Sequence, residues 1–307
     1  MKCLVLGGGG FIGSNLSTAL LAQGHQVRVF EYPHVQSQCS PQVIGQVEWV
    51  EGDFLNPSDV DEAMQGCDVA YHLVSTSLPK GSNDNPAYDV ESNLVATLKM
   101  LESAVRHRLR KVVFPSSGGT VYGIPAHTPI AESHATNPIC SYGIVKLTVE
   151  KYLHLFHVLH GLDYCVLRLA NPYGEGQRLV ASQGAVAVFL HRALREEPIE
   201  IWGDGKVTRD YIYISDVVSA MLMALDNAGP ERIFNIGSGV GRSLNELLDE
   251  LETVLGRAVK RIYQTGRPFD VPANVLNIDR ASRQLSWRPG VEFREGIKRT
   301  LAWMQNQ

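Results

Sequence analysis

The chain has 307 residues, 44% hydrophobic and 20% charged, with 28 Lys and Arg against 32 Asp and Glu for a formal charge of −4. These proportions exclude the disordered and coiled-coil classes. The dense basic run at residues 106–111 suits the C-terminal end of a helix better than a nucleic-acid patch. No apolar stretch reaches the ~18 residues of a membrane span. No signal-peptide layout precedes the first strand. Five widely spaced cysteines without a CxxC pair suggest neither a disulfide framework nor a zinc site. A soluble, cytoplasmic protein is expected, with no nucleic-acid or membrane partner.

Lys2–Leu6 is a short apolar run without alternation, as in a parallel strand covered on both faces. A glycine cluster follows, then a helical pattern over Ser14–Gln23 closed by Gly24, then a strand over Val27–Phe30 ending at Glu31. This βαβ unit requires a right-handed crossover and a parallel sheet. The alternation continues with strands at Val47–Val50, Val69–Leu73, Lys111–Phe114 and Tyr164–Leu169, and helices at Asp59–Met64, Ser92–Val105 and Ser141–His160. Such alternation predicts an α/β fold with a doubly wound parallel sheet. After Asn171 the regularity weakens; Arg209–Tyr213 and Ile233–Ile236 read as strands and Leu244–Leu255 as a helix.

Gly7, Gly10 and Gly13 form GxxGxxG between the first strand and helix. Glycine allows a tight turn and lets the backbone approach a pyrophosphate, which then sits on the free N–H groups of the helix N-terminus. Glu31, at the end of the second strand, would accept from an adenine-ribose 2′-hydroxyl and repel a 2′-phosphate, so NAD is expected over NADP. Asp53 and Phe54 are candidates to contact adenine, with a turn cap as the other reading of Asp53. Tyr142 and Lys146 are four apart and share a helix face. An ammonium beside a phenol is expected to lower its pKa from ~10 and suit it to general acid–base work. His154, His157 and His160 lack a carboxylate or thiol partner and drift off one face, so no metal site is expected.

Several longer motifs in sequence order extend this pattern: GGGGFIG at Gly7–Gly13, GDFLN at Gly52–Asn56, Tyr71-His72-Leu73, Asn93, SSGGTVYG at Ser116–Gly123, Tyr142–Lys146, RLANPYG at Arg168–Gly174, RDYIYISD at Arg209–Asp216, NIGSG at Asn235–Gly239 and GRPFDVP at Gly266–Pro272. On these residues the chain resembles the extended short-chain dehydrogenase/reductase family, in particular its NAD-dependent sugar-nucleotide epimerases and dehydratases of the UDP-glucose 4-epimerase type. The resemblance implies a Rossmann-type NAD-binding domain over residues 1–170 with a returning segment near 209–236. A smaller, interleaved α/β substrate domain over 171–307 would complete it. It assigns Gly7, Gly10, Phe11, Ile12, Gly13, Glu31, Asp53, Phe54, Leu73, Asn93, Ser116, Tyr142 and Lys146 to the cofactor. Tyr142 would take the proton of the sugar 4-hydroxyl while C4 gives hydride to NAD, with Lys146 holding the nicotinamide ribose. Asn171, Arg209, Arg267 and Asp270 would hold the nucleotide and diphosphate.

One departure stands out. Family members usually have Ser or Thr three residues before Val-Tyr-Gly, and this chain has Gly118, leaving Ser117 or Thr120 to supply that hydroxyl. Dehydratases carry an Asp-Glu pair immediately before Val-Tyr-Gly, and decarboxylating relatives a Glu; here Gly119 and Thr120 stand there. The resemblance therefore favours 4-epimerisation of a nucleotide sugar, with a UDP-hexose the expected substrate, over elimination or decarboxylation. An NAD(P)H-dependent 4-ketosugar reductase and a non-catalytic dinucleotide-binding regulator are the alternatives. The helices over 92–105 and 141–160 resemble a pair that relatives use to dimerise, so a homodimer is expected by analogy.

Overall fold

A computed structural model describes residues 1–35, 37–79, 81–177, 184–266 and 271–306. Seven strands form one sheet in the spatial order Ile233–Ile236, Asp163–Leu169, Lys111–Ser117, Val69–His72, Lys2–Leu6, Gln26–Glu31 and Glu48–Glu51. Every neighbouring pair is parallel. The unalternating apolar runs have their cause here. Cys3 and Val5 face one core cluster, Leu4 and Leu6 the other, and all four are inaccessible to solvent.

Strand order reverses where Lys2–Leu6 lies between Gln26–Glu31 and Val69–His72, which opens a crevice at the carboxyl ends of these strands. The helix Phe11–Ala22 begins at that crevice. After Val69–His72, Asn85 caps a helix by accepting from the Tyr88 N–H, with Pro86 in its first turn. This helix runs through residues 86–106, and its Val90–Val95 stretch is π-wound. Its start lies ahead of the expected Ser92, because the Asn-Pro cap precedes the apolar periodicity. The helix Ser141–His160 packs beside it and ends at Gly161, whose φ of 71° lets the chain turn away.

The strand Thr208–Tyr213 anchors the second lobe. It pairs with Asn171–Tyr173 and Ala273–Asn274 in parallel, and with Gly241–Ser243 antiparallel. Ile199–Trp202 pairs with Arg261–Gln264. The helices Ala185–Leu194, Leu244–Leu255 and Phe293–Gln305 surround these strands. Ile233–Ile236 returns to the central sheet, as expected, and the helix Ile214–Asp226 covers one face of that sheet. One core cluster runs from Cys3 and Leu16 through Val217 and Met221 to Leu276 and Ile297, so both lobes share it. Among the described residues, no helix is long and apolar enough to cross a membrane.

Candidate cofactor and substrate site

The glycine-rich turn fits its expected use. Gly7 adopts φ +81°, and a Cβ on Gly13 would lie 2.4 Å from the Gly7 carbonyl oxygen. The helix can press against the turn because both positions lack side chains. No side chain caps that helix at Gly10, which leaves its first N–H groups to an anion. Glu31 sits at the same turn, accepting from the Gly9 N–H at 3.0 Å and the Tyr32 N–H at 3.0 Å. Each carboxylate oxygen retains a lone pair for a ribose hydroxyl. Leu73 lies where its carbonyl carbon would be 3.3 Å from a Cβ on Gly7.

Two expected cofactor residues are placed differently. The Phe54 ring is buried and stacks on His72 at 5.0 Å, and the Ser116 hydroxyl is buried and donates to Glu150 Oε1 at 2.6 Å. Both side chains serve the core. Asp53 accepts from the Leu55 N–H at 2.9 Å, which is the turn-cap arrangement.

Tyr142 and Lys146 line one small cavity with His72, Asp89, Asn93, Thr97 and Phe114. Lys146 Nζ lies 5.6 Å from the Tyr142 ring centroid and 4.5 Å from that of Phe114, and donates to the Pro115 carbonyl at 3.0 Å. Burial pulls the ammonium down to about 8, against the charges of Glu150 and Asp89. The phenol departs from expectation: burial pushes the Tyr142 pKa up, and Cys140 and Asp89 add to the rise. The lysine does not reach the phenol oxygen strongly enough to reverse this, so the protein alone holds Tyr142 protonated. One helical turn further on, Glu150 makes a bidentate buried pair with Arg168 at 2.6 and 3.0 Å. Arg168 also donates to the Tyr122 hydroxyl, which donates to Asn235 Oδ1. This network ties the helix to three sheet elements beneath the site.

The Gly118 departure has a packing cause. A Cβ there would lie 2.6 Å from Leu276 Cδ1 and 3.2 Å from the Arg168 carbonyl oxygen, so Leu276 occupies the space of a side chain. Of the two flanking hydroxyls, Thr120 Oγ1 is buried and makes no hydrogen bond among the described residues. Its Cβ would be 3.1 Å from a Cβ on Gly143, next to Tyr142.

Asn171 and Arg209 are brought together in a separate cleft of about 490 Å³. Asn171 Nδ2 donates to the Asp210 carbonyl, and Arg209 donates to the carbonyls of Thr208 and Val271. Phe189, Arg192, Trp202 and Tyr211 also line the cleft, and the sequence analysis did not find them. The Trp-Gly-Asp-Gly turn after Ile199–Trp202 was the available signal for Trp202; nothing comparable marks the others. Asp89, buried beside Tyr142, was also missed. Arg267 and Asp270 lie outside the described residues.

The sequence profile of the NAD dependent epimerase/dehydratase family matches residues 3–237. The UDP-glucose 4-epimerase of Mycolicibacterium smegmatis is 34% identical over 316 residues, covering 100% of this chain and 99% of that protein. The crystal structure of the Thermotoga maritima UDP-glucose 4-epimerase with UDP-glucose superposes with a TM-score of 0.94 at 33% identity, covering 100% of this chain and 99% of that one. The Thermus thermophilus UDP-glucose 4-epimerase in complex with NAD gives 0.91 at 31% identity, covering 99% of each. Other relatives carry reductase or decarboxylase names. The chain belongs to the NAD-dependent epimerase/dehydratase family.

Proposed function

We propose that the protein is an NAD-dependent epimerase acting at C4 of a nucleotide sugar, a UDP-hexose, by way of a 4-keto sugar. The observation that carries the reading is the Tyr142–Lys146 pair lining one cavity from a shared helix face, in a chain with an uncapped glycine-rich turn and no titrating side chain at Gly119 or Thr120. Elimination and decarboxylation need such a group; epimerisation does not.

The Gly7–Gly13 turn and helix N-terminus would hold the pyrophosphate of NAD, and Glu31 its adenine ribose. NAD, when bound, would supply the hydride acceptor and a positive charge. Lys146 has two N–H donors beyond its bond to Pro115, and one of them serves a ribose hydroxyl. Tyr142 takes the proton from the sugar 4-hydroxyl and returns it after the keto sugar presents its other face. Thr120, rather than Ser117, supplies the hydroxyl absent at Gly118, because its oxygen is the buried one without a partner. Asn171 and Arg209, joined by Arg267 and Asp270, hold the nucleotide and diphosphate; arginine forks suit diphosphate oxygens. The protein acts as a cytoplasmic homodimer in this reading.

The test is to incubate the purified protein with a panel of UDP- and dTDP-sugars and follow C4 configuration by proton NMR. Inversion without added NADH is expected, and Tyr142→Phe should lose at least ~10³-fold in kcat while still binding NAD. Consumption of ketosugar only when NAD(P)H is supplied would overturn the reading in favour of a reductase. Thr120→Val should lose more activity than Ser117→Ala.

A further inference from the structure

Asp89 has no part in the chemistry described so far, yet its placement is heavily determined. It is 1% exposed, and its Oδ1 accepts from Ser77 Oγ at 2.5 Å and from Asn93 Nδ2 at 2.9 Å. Asn93 is fixed in turn by the Thr76 N–H, which donates to its Oδ1 at 2.9 Å. Asn93 lies on the π-wound stretch, four residues after Asp89, a spacing that sets the two side chains on one face. All this ordering serves one carboxylate oxygen. The other, Oδ2, is buried without a hydrogen-bond partner among the described residues.

A second orphan lines the same cavity. His72 is 2% exposed, and its Nε2 is 2.8 Å from Thr97 Oγ1. The Thr97 hydroxyl gives its proton to the Asn93 carbonyl, so the His72 Nε2–H must donate to Thr97 and Nδ1 carries the lone pair. That Nδ1 is buried and unpartnered. Burial, aided by the Lys146 charge, pulls the imidazole down to about 3, so it stays neutral and Nδ1 stays an acceptor. Two acceptors therefore require two donated protons. The cavity they line with Tyr142 and Lys146 leaves about 10 Å³ for the centre of a water, room for about one molecule.

One water balances the account: it donates to Asp89 Oδ2 and to His72 Nδ1 and accepts from Lys146 and from the Tyr142 hydroxyl. We propose that Asp89 is a positioning residue for the Tyr142–Lys146 pair, acting through one buried water shared with His72. The inference rests on the reading of Tyr142 as the acid–base group. The titratable groups facing the pair are Asp89 from the neighbouring helix, His72 from the sheet, and Cys140 and Glu150 from its own helix and approach. Arg168 pairs with Glu150, and His72 is neutral, which leaves Asp89 as the carboxylate facing Lys146 and Tyr142 that no arginine holds. Its charge favours the protonated phenol and the protonated amine together.

Asp89→Asn keeps the size of the side chain and an acceptor for Ser77 and Asn93 while removing the charge. Both limbs of the kcat/KM profile against pH should then move to lower pH, by about one unit, the scale of a nearby buried charge. Asp89→Glu, which keeps the charge, should return both limbs toward their wild-type positions. Loss of activity with the limbs unmoved would show a purely structural Asp89 and overturn the proposal. The wild-type protein provides a test independent of turnover: a high-resolution crystal structure should show a water within hydrogen-bond distance of both Asp89 Oδ2 and His72 Nδ1. A cavity without it overturns the proposal, whether or not Asp89→Asn folds. Absence of C4 inversion by the wild-type enzyme would instead overturn the epimerase reading, and the crystallographic outcome would still stand on its own.

Discussion

A single missing side chain separates what sequence shows about this site from what packing decides. The absence of a hydroxyl at Gly118 is plain in the sequence, but its cause is Leu276, which arrives from the far end of the chain with no local pattern to announce it. Leu276 is inaccessible to solvent, and the Arg168 carbonyl closes the same space, so little can move aside. Gly118→Ser should therefore lose about 1–3 kcal/mol, the usual cost of overpacking, read as a lower urea midpoint at unchanged slope. Leu276→Ala should recover part of that loss in the double variant, since its Cδ atoms are the nearest obstruction. Equal destabilisation of Gly118→Ser with and without Leu276 would show that the backbone carbonyl alone sets the limit. Phe54 and Ser116 teach the same lesson from the other side. Motif position assigns both to the cofactor, while their side chains turn into the core: Ser116 from its strand onto Glu150, and Phe54 from the turn after Glu48–Glu51 onto His72.

Elements with their own punctuation were legible. The Ser141–His160 helix is bounded by a glycine in the left-handed region, and its limits match the sequence pattern. The helix before it was read six residues short, because its start is set by the Asn85 cap and Pro86, ahead of any periodic apolar face. These two helices leave apolar side chains in solvent: Tyr88 and Val95 on one, and Ile144, Leu155, Val158 and Leu159 on the other, with Leu159 63% exposed. Ile144, Leu155 and Val158 recur at spacings that keep them on one face. Such a stripe suits an interface, and two copies joined about a two-fold axis would bring both helices of each into one four-helix contact. Ile144→Asp combined with Leu155→Asp should convert a dimer to a monomer in sedimentation velocity at micromolar concentration. The monomer itself should change by no more than about 0.5 kcal/mol, since both side chains are exposed. A wild-type protein that sediments as a monomer, or a variant that remains dimeric, would count against this face.

At the scale of the whole molecule, the division into a cofactor half and a substrate half is clear along the chain and incomplete in space. The helix Ile214–Asp226 belongs by sequence to the second half, yet Val217, Ala220, Met221 and Ala224 are buried in the core shared with the first strands. Its carbonyls also satisfy buried donors of the sheet. The Tyr71 hydroxyl donates to Met221 at 3.3 Å, and Lys111 Nζ donates to Ala224 and Leu225 at 3.3 and 3.1 Å. The strand Ile233–Ile236 covers the edge of Asp163–Leu169, which would otherwise expose unpaired backbone groups. We infer that residues 1–170 alone do not make a stable cofactor domain, although the motifs assigned to NAD all lie within them. Cutting there would uncover one apolar face of the sheet, leave the buried Tyr71 hydroxyl without its acceptor and strip Lys111 of its carbonyl acceptors down to Asp163, and open an aggregation-prone edge. A fragment of residues 1–170 should show no cooperative urea transition and no NAD binding, whereas residues 1–236, which restore the helix and the edge strand, should recover secondary structure by circular dichroism. Cooperative unfolding of the shorter fragment would place the boundary at 170 after all. The site then depends on the fold in a specific way: Tyr142 and Lys146 stand on a helix whose supporting sheet is completed only after the substrate lobe has begun.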